Sequence, residues 1–81
     1  MIKEELIAKM NEVLAEEFEV EIEAITPDAD IKKTLELDSL SLVDMVALIE
    51  DTFDIKIDGQ DVSKIKTFGE LYDFVNEKAN A

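Results

Sequence analysis

The segment DSLSLVDMVALIEDTFD, residues 38–54, has the clearest helical pattern in this chain. Aspartate is a favourable N-cap residue, and apolar residues follow Asp38 at once. The segment therefore predicts a helix from Ser39 to about Phe53. Successive steps of 100° bring four apolar side chains into one inward stripe. The stripe consists of Leu42, Val46, Ile49 and Phe53.

The opposite face of this helix is mixed in character. Leu40, Ala47 and Leu48 fall beside the acidic residue Asp44, where a simple surface helix would carry only polar residues. Either several neighbours cover this helix, or it carries an exposed apolar strip. An acidic and apolar strip of this kind is suited to docking on a basic protein surface.

Two more helices are predicted from apolar spacing of three and four residues. One runs from Ile2 to Phe18, and the other begins after the capping-box pair Thr67 and Glu70 and runs from Phe68 to about Lys78. Their inward residues are Leu6, Met10 and Val13, and Leu71, Phe74 and Val75, respectively.

The connections complete the predicted fold. Residues 19–38 lack periodicity and predict a long loop, with room for one short helical turn, while residues 60–65 predict at most a short helix. Only 2 glycines and 1 proline are present, so few turns are available. The sequence predicts one all-α domain over residues 1–81: a small four-helix bundle of three main helices and one short helix, with a long first loop.

Charge restricts the partners of this chain. Its 81 residues include 21 acids and 8 lysines and no other charged type, which gives a formal charge of −13. Such a polyanion repels phosphate backbones and anionic lipids, so basic protein surfaces are the expected partners, rather than nucleic acid or membrane. The acidic N-terminal residues do not resemble a signal peptide, which predicts a cytoplasmic location. We expect a monomer.

Composition also argues against catalysis and against a metal site. The chain has no Cys and no His, so thiol chemistry, His-dependent triads and the commonest metal ligands are absent. Residues 54–59 resemble the start of an EF-hand loop, but Lys56 and Ile65 stand where oxygen ligands are needed. Adjacent carboxylates such as Glu4 and Glu5 are expected to be solvated. We predict neither an enzyme nor a metal centre.

Ser39 is singled out by its position at the start of the central helix. Asp38 or Ser39 could simply cap the helix, because the motif Asp-Ser-Leu is short. Alternatively, a phosphate ester on Ser39 would lie at the positive end of the helix dipole, among free N–H groups.

In these features the chain resembles the acyl carrier protein family over almost its whole length. The resemblance rests on LELDSL (residues 35–40), VD (43–44), LIEDTFDI (48–55), ID (57–58), KI (64–65), Thr67 and YDFV (72–75). It implies that Ser39 carries a covalent 4′-phosphopantetheine arm, with Asp38 and Leu40 as the rest of the attachment motif. It also implies a phosphopantetheinyl transferase, and acyl-transferring and condensing enzymes with basic docking surfaces, as partners. The partner-binding residues predicted here are Leu40, Asp44, Ala47, Glu50 and Asp51.

The implied function is to hold acyl intermediates as thioesters for fatty-acid, polyketide or related specialised enzymes. Glu36 stands where the family usually has glycine, which predicts a different backbone geometry before Ser39. The bulk of Leu37 and Leu42 also departs from the common pattern and favours a specialised pathway. The alternative function is that of a non-covalent acidic interaction module, in which Ser39 is only a capping residue.

Overall fold

The structure is a computed structural model that describes residues 2–80. Its helices are α1 (Lys3–Phe18), a 3-10 helix (Ile22–Ala24), α2 (Ile31–Leu35), α3 (Ser39–Phe53), α4 (Gly59–Ser63) and α5 (Phe68–Ala79). The all-α prediction is confirmed, and the bounds of the three long helices agree with the periodicity to within about one residue. The short helical turn expected in the long connection is the five-residue helix α2.

The first and last helices pack against each other. The hydroxyl of Tyr72 donates a hydrogen bond to Asn11 Oδ1, and Lys3 forms an ion pair with Asp73. Tyr72 is buried, although the sequence analysis did not place it inside. Burial raises the pKa of the Tyr72 phenol, so it remains a hydrogen-bond donor near neutral pH.

One apolar core joins all five α-helices. Its buried members are Leu6, Met10, Leu14, Ile25, Ile31, Leu35, Met45, Ile49, Ile57, Val62, Phe68, Leu71, Tyr72 and Val75. Five of the predicted inward residues are only half-buried, while Leu14 is fully buried; the five are Val13, Leu42, Val46, Phe53 and Phe74. No polar or charged residue between positions 2 and 80 is buried.

The face that α3 turns toward the core differs from the predicted stripe. Met45 and Ile49 are buried, whereas Leu42 and Val46 are half-buried. Leu42 and Val46 thus face the core, as the stripe predicts, but they pack at its edge and are not enclosed by it. The reason is that the short helix α4 leaves a gap beside α3, and both side chains line this gap.

The long connection is held by backbone hydrogen bonds to the segment before α5. Ile31 N donates to the carbonyl of Lys66 at 2.9 Å, and Phe68 N donates to that of Ala29 at 3.2 Å. Gly69 N donates to the carbonyl of Pro27 at 3.0 Å. A Cβ at Gly69 would lie 3.1 Å from that oxygen, so the close approach favours glycine. These bonds position α2 just before Ser39.

Three helices end at an acidic residue in the left-handed conformation. The φ angles are 54° at Glu19, 53° at Glu36 and 54° at Asp54. At each position the backbone N–H closes the last turn of its helix. Glu36 thus adopts the conformation that glycine takes most easily, which corrects the expectation that its side chain changes the geometry before Ser39.

We expect Glu36→Gly to raise the free energy of unfolding by about 1 kcal/mol, because glycine removes the clash of Cβ with the carbonyl in the left-handed region. Glu36→Ala is the matched control, since it removes the same charge but keeps Cβ. Urea unfolding followed by circular dichroism measures both. Equal gains for the two variants would mean that charge, and not backbone conformation, determines the effect.

The prediction of a single domain over residues 1–81 stays a prediction. Its two end positions, Met1 and Ala81, lie outside the described residues.

Candidate functional site

Ser39 is the first residue of α3, and Asp38 caps the helix in its place. One carboxylate oxygen of Asp38 accepts a hydrogen bond from Ser41 N at 2.8 Å. The carbonyl of Asp38 accepts the first intrahelical bond, from Leu42 N at 2.9 Å. The side chain of Ser39 is exposed and takes no part in the cap. Its hydroxyl is therefore available for chemistry at the N-terminus of a 15-residue helix.

The capping bonds also affect the charge of Asp38. The backbone N–H of Ser41, followed by its hydroxyl, lowers the pKa of the Asp38 carboxyl below its ordinary value of 3.8. Ser39 consequently has a charged carboxylate on its N-terminal side at every pH near neutrality.

This lowered pKa predicts how the stability of the protein depends on pH. The pKa of Asp38 is lower in the folded protein than in the unfolded chain. The charged carboxylate therefore contributes its full stabilisation above the unfolded pKa, and this stabilisation is lost as pH falls through the folded pKa. Asp38→Asn keeps a capping oxygen without the titration. We expect the melting temperature of the wild type to fall more steeply below pH 3.8 than that of Asp38→Asn. Parallel curves would contradict the assignment.

A shallow depression of about 220 Å³ surrounds Ser39 where α2 meets α3. Its lining residues are Lys32, Leu37, Asp38, Ser39 and Leu42. Leu37 N donates to the carbonyl of Lys32 at 3.0 Å, which closes the end of α2 beside the serine. The depression thus offers one ammonium group, one carboxylate and two aliphatic side chains.

The outer face of α3 carries an exposed apolar strip. Leu40 is 79% exposed and Val43 65% exposed, and Ala47 is also exposed. Asp44 and Asp51 lie exposed on the same helix. Leu48, which the sequence analysis assigned to this face, packs half-buried against the core. We call the set Leu40, Val43, Asp44, Ala47 and Asp51 the α3 strip.

Val43 was not predicted as a surface residue. Its angular position, between those of Ser39 and Ala47 on a helical wheel, was the available signal.

Glu50 differs from the other predicted docking residues. It is half-buried, and Oε2 accepts a hydrogen bond from Ile57 N at 2.7 Å. The carbonyl of Glu50 also accepts from Ile55 N at 3.1 Å. Glu50 therefore fixes the loop that follows α3, and we leave it out of the α3 strip.

Other candidate features stay separate from Ser39. The hydroxyl of Ser63 donates to the carbonyl of Gln60 at 2.7 Å, within α4. Across the described part of the chain, no group of three or more carboxylates is arranged to hold a metal ion. Nor does any helix between residues 2 and 80 have the length and apolar character needed to cross a membrane.

Comparison with known proteins agrees with this site. Residues 8–75 match the family model described as a phosphopantetheine attachment site. An acyl carrier protein of Rubrobacter xylanophilus is 35% identical over 81 residues, covering 100% of both chains. One of Petrotoga mobilis is 34% identical over 99% of this chain and 94% of its own length.

Solved structures give the same result. An acyl carrier protein from Enterococcus faecalis superposes with a TM-score of 0.80 at 31% identity, over 96% of this chain and 99% of that one. The acyl carrier protein of Thermotoga maritima gives 0.78 at 31% identity, over 96% and 91% of the two chains.

The fold and the serine-initiated helix define a small carrier domain of the phosphopantetheine-dependent class. The chain belongs to the acyl carrier protein family, whose cofactor is 4′-phosphopantetheine.

The residues present fit this cofactor. The hydroxyl at Ser39 is exposed, so an esterifying enzyme can reach it. A phosphoryl group bonded there would lie at the positive end of α3, with Lys32 lining the same depression. When bound, the cofactor supplies a thiol on a long flexible chain, and Ser39 would hold it.

Proposed function

We propose that Ser39 is the attachment residue and that the chain carries acyl groups as thioesters between enzymes. In the loading step the Ser39 oxygen would bond to the phosphorus that bears pantetheine in coenzyme A. The pyrophosphate bond would break, adenosine 3′,5′-bisphosphate would leave, and the serine proton would pass to the transferase. The observation that carries the proposal is the exposed hydroxyl at the start of α3, beside the cap formed by Asp38.

The α3 strip is the proposed docking surface for the transferase and for acyl-transferring and condensing enzymes. It begins one residue after Ser39, so a partner bound there has the arm beside it. Two exposed carboxylates would attract a basic surface over long range, and three exposed apolar side chains would be removed from water on contact. Glu50 is assigned a structural role.

The same proposal includes the pathway and the setting. The chain would serve fatty-acid, polyketide or specialised synthesis as a monomer in the cytoplasm and would perform no catalysis itself. Leu42 lines the depression next to Ser39. Its bulk would narrow the entrance for an acyl chain into the fold, which supports a carrier of specialised acyl groups.

The apolar gap beside α3 supports a route for acyl chains into the fold. It measures about 230 Å³ and is lined by Leu42, Val43, Val46, Gly59 and Val62. Each methylene buried there would contribute about 0.8 kcal/mol before the cost of parting the helices.

We expect the melting temperature of the acyl-loaded protein to rise with acyl length and then to reach a plateau when the gap is full. A series of saturated acyl groups loaded on Ser39 tests this by differential scanning calorimetry. If no length changes the melting temperature or the amide shifts of Val46 and Val62, the cargo stays outside the fold.

Incubation with a phosphopantetheinyl transferase and coenzyme A tests the proposed function directly. A carrier gains the mass of one arm in intact-protein mass spectrometry. A non-covalent interaction module, the alternative function, gains none and retains its fold.

A further inference from the structure

Half of the lysines lie in two short segments that the fold brings together. Ile31 N donates to the carbonyl of Lys66 at 2.9 Å, and Asp30 forms a β-bridge with Thr67. The four lysines in these segments are Lys32, Lys33, Lys64 and Lys66. A chain of formal charge −13 thus has a locally cationic face next to α2.

A depression of about 300 Å³ lies on this face, between α2 and the end of α4. Its lining residues are Asp30, Lys32, Ser63, Ile65 and Lys66. Lys32 also lines the depression around Ser39, so the two depressions share a wall. The second depression is therefore adjacent to the one around Ser39, with Lys32 between them.

The depression has an excess of positive charge. Lys3–Asp73 is the one ion pair within 4.0 Å that the described residues form, so Lys32 and Lys66 are not neutralised by a contacting carboxylate there. The carboxylate of Asp30 caps α2 by accepting from Lys33 N at 3.0 Å. The lining thus holds two ammonium groups and one carboxylate that is already bonded to the backbone, while the Ser63 hydroxyl donates to the carbonyl of Gln60. Glu70 lies outside the lining: its carboxylate accepts from Lys66 N at 3.1 Å, and hydrogen bonds from the backbone of Thr67 and Lys66, together with the charge of Lys66, lower its pKa.

We propose that this depression receives the terminal carboxylate of a dicarboxylic acyl group carried on Ser39, which rests on the proposed carrier function. Lys32 and Lys66 would pair with the carboxylate. Exposed ion pairs are individually weak, but a tethered ligand has an effective concentration of millimolar order, so modest affinity is enough.

Two other occupants fit the depression less well. The phosphodiester of the arm is fixed at Ser39, whereas Ser63 and Lys66 line only the second depression. A purely aliphatic acyl chain has the apolar gap beside α3 available and gains nothing from ammonium groups. The charged end of a cargo is therefore the group that this surface recognises.

Adipyl and hexanoyl groups make a matched pair, since both have six carbons and only adipyl ends in a carboxylate. Each is loaded on the full chain from its coenzyme A thioester. The test variant is Lys32→Gln/Lys66→Gln, and the control is Lys9→Gln/Lys56→Gln, which changes the charge equally away from the depression. Amide shifts of residues 32 and 63–66 and the pKa of a ¹³C-labelled adipyl carboxyl are measured.

We expect adipyl, and not hexanoyl, to shift these amides in the wild type and in the control variant. The carboxyl pKa should be lower by about 0.5 unit in the wild type than in the test variant, because the two ammonium groups favour the charged form. Equal amide shifts for the two cargoes, or shifts that survive in the test variant, overturn the proposal.

The remaining outcomes are also decisive. If Lys66→Gln alone, which leaves Lys32 beside Ser39, moves the ³¹P signal of the hexanoyl form as much as that of the adipyl form, the phosphodiester is the bound anion and the cargo proposal is wrong. If Ser39 accepts no arm at all, the carrier function fails first, and mass spectrometry reveals this before any shift is measured.

Discussion

We expect Ser39→Ala to abolish incorporation of the phosphopantetheine arm, because the exposed hydroxyl at the start of α3 is lost. The helical circular dichroism spectrum should not change, because Asp38 and not Ser39 caps the helix. The measurement is intact-protein mass spectrometry after incubation with a transferase and coenzyme A.

Ser41→Ala and Ser63→Ala serve as controls for this loss. The Ser63 hydroxyl is bonded to the carbonyl of Gln60, and Ser41 lies half-buried beside Asp38. Both variants should gain one arm at nearly the wild-type rate. If Ser39→Ala still gains an arm, another residue is the attachment point and the assignment to Ser39 is wrong.

Charge reversal in the α3 strip should have the second-largest effect. We expect Asp44→Lys/Asp51→Lys to lower kcat/KM for arm transfer about tenfold, because both exposed carboxylates would otherwise attract the basic surface of the transferase. Added salt should slow transfer to the wild type toward the rate of the variant, since exposed charges are screened.

A matched control separates docking from net charge. Glu12→Lys/Glu16→Lys makes the same change of charge on α1, where both residues are exposed, and should transfer at nearly the wild-type rate. Glu50→Lys does not test docking, because it removes the bond to Ile57 N and should lower the melting temperature. If both double variants accept the arm at equal rates and salt has no effect, the transferase recognises a face other than the α3 strip.

Local sequence signals predicted the helices and placed Ser39 at the start of α3. Asp38 and Thr67 have side chains that accept from backbone N–H groups, and such capping depends only on residues three positions apart. Apolar spacing gave the lengths of α1, α3 and α5 for the same reason, since the helical period is a local property. The cap singled out the position of Ser39, and the resemblance to the acyl carrier protein family implied its role.

The orientation of α3 depended on its neighbours. Steps of 100° along the helix predicted one inward stripe, which consists of Leu42, Val46, Ile49 and Phe53. Because α4 is only five residues long, Leu42 and Val46 line an open gap, while Met45 turns inward. Packing of the other helices thus rotated the buried face away from the predicted stripe.

What the sequence determined by itself was the set of helices, their caps, the acidic charge and the serine at the start of α3, because each of these depends on residues within about one helical turn. Tertiary structure alone decided which groups Glu50 and the lysines lie beside. Glu50 is bonded to Ile57 seven residues away, and Lys32 meets Lys66 through the backbone bond of Ile31. Such pairings depend on how the connections cross in space, and no local spacing encodes them.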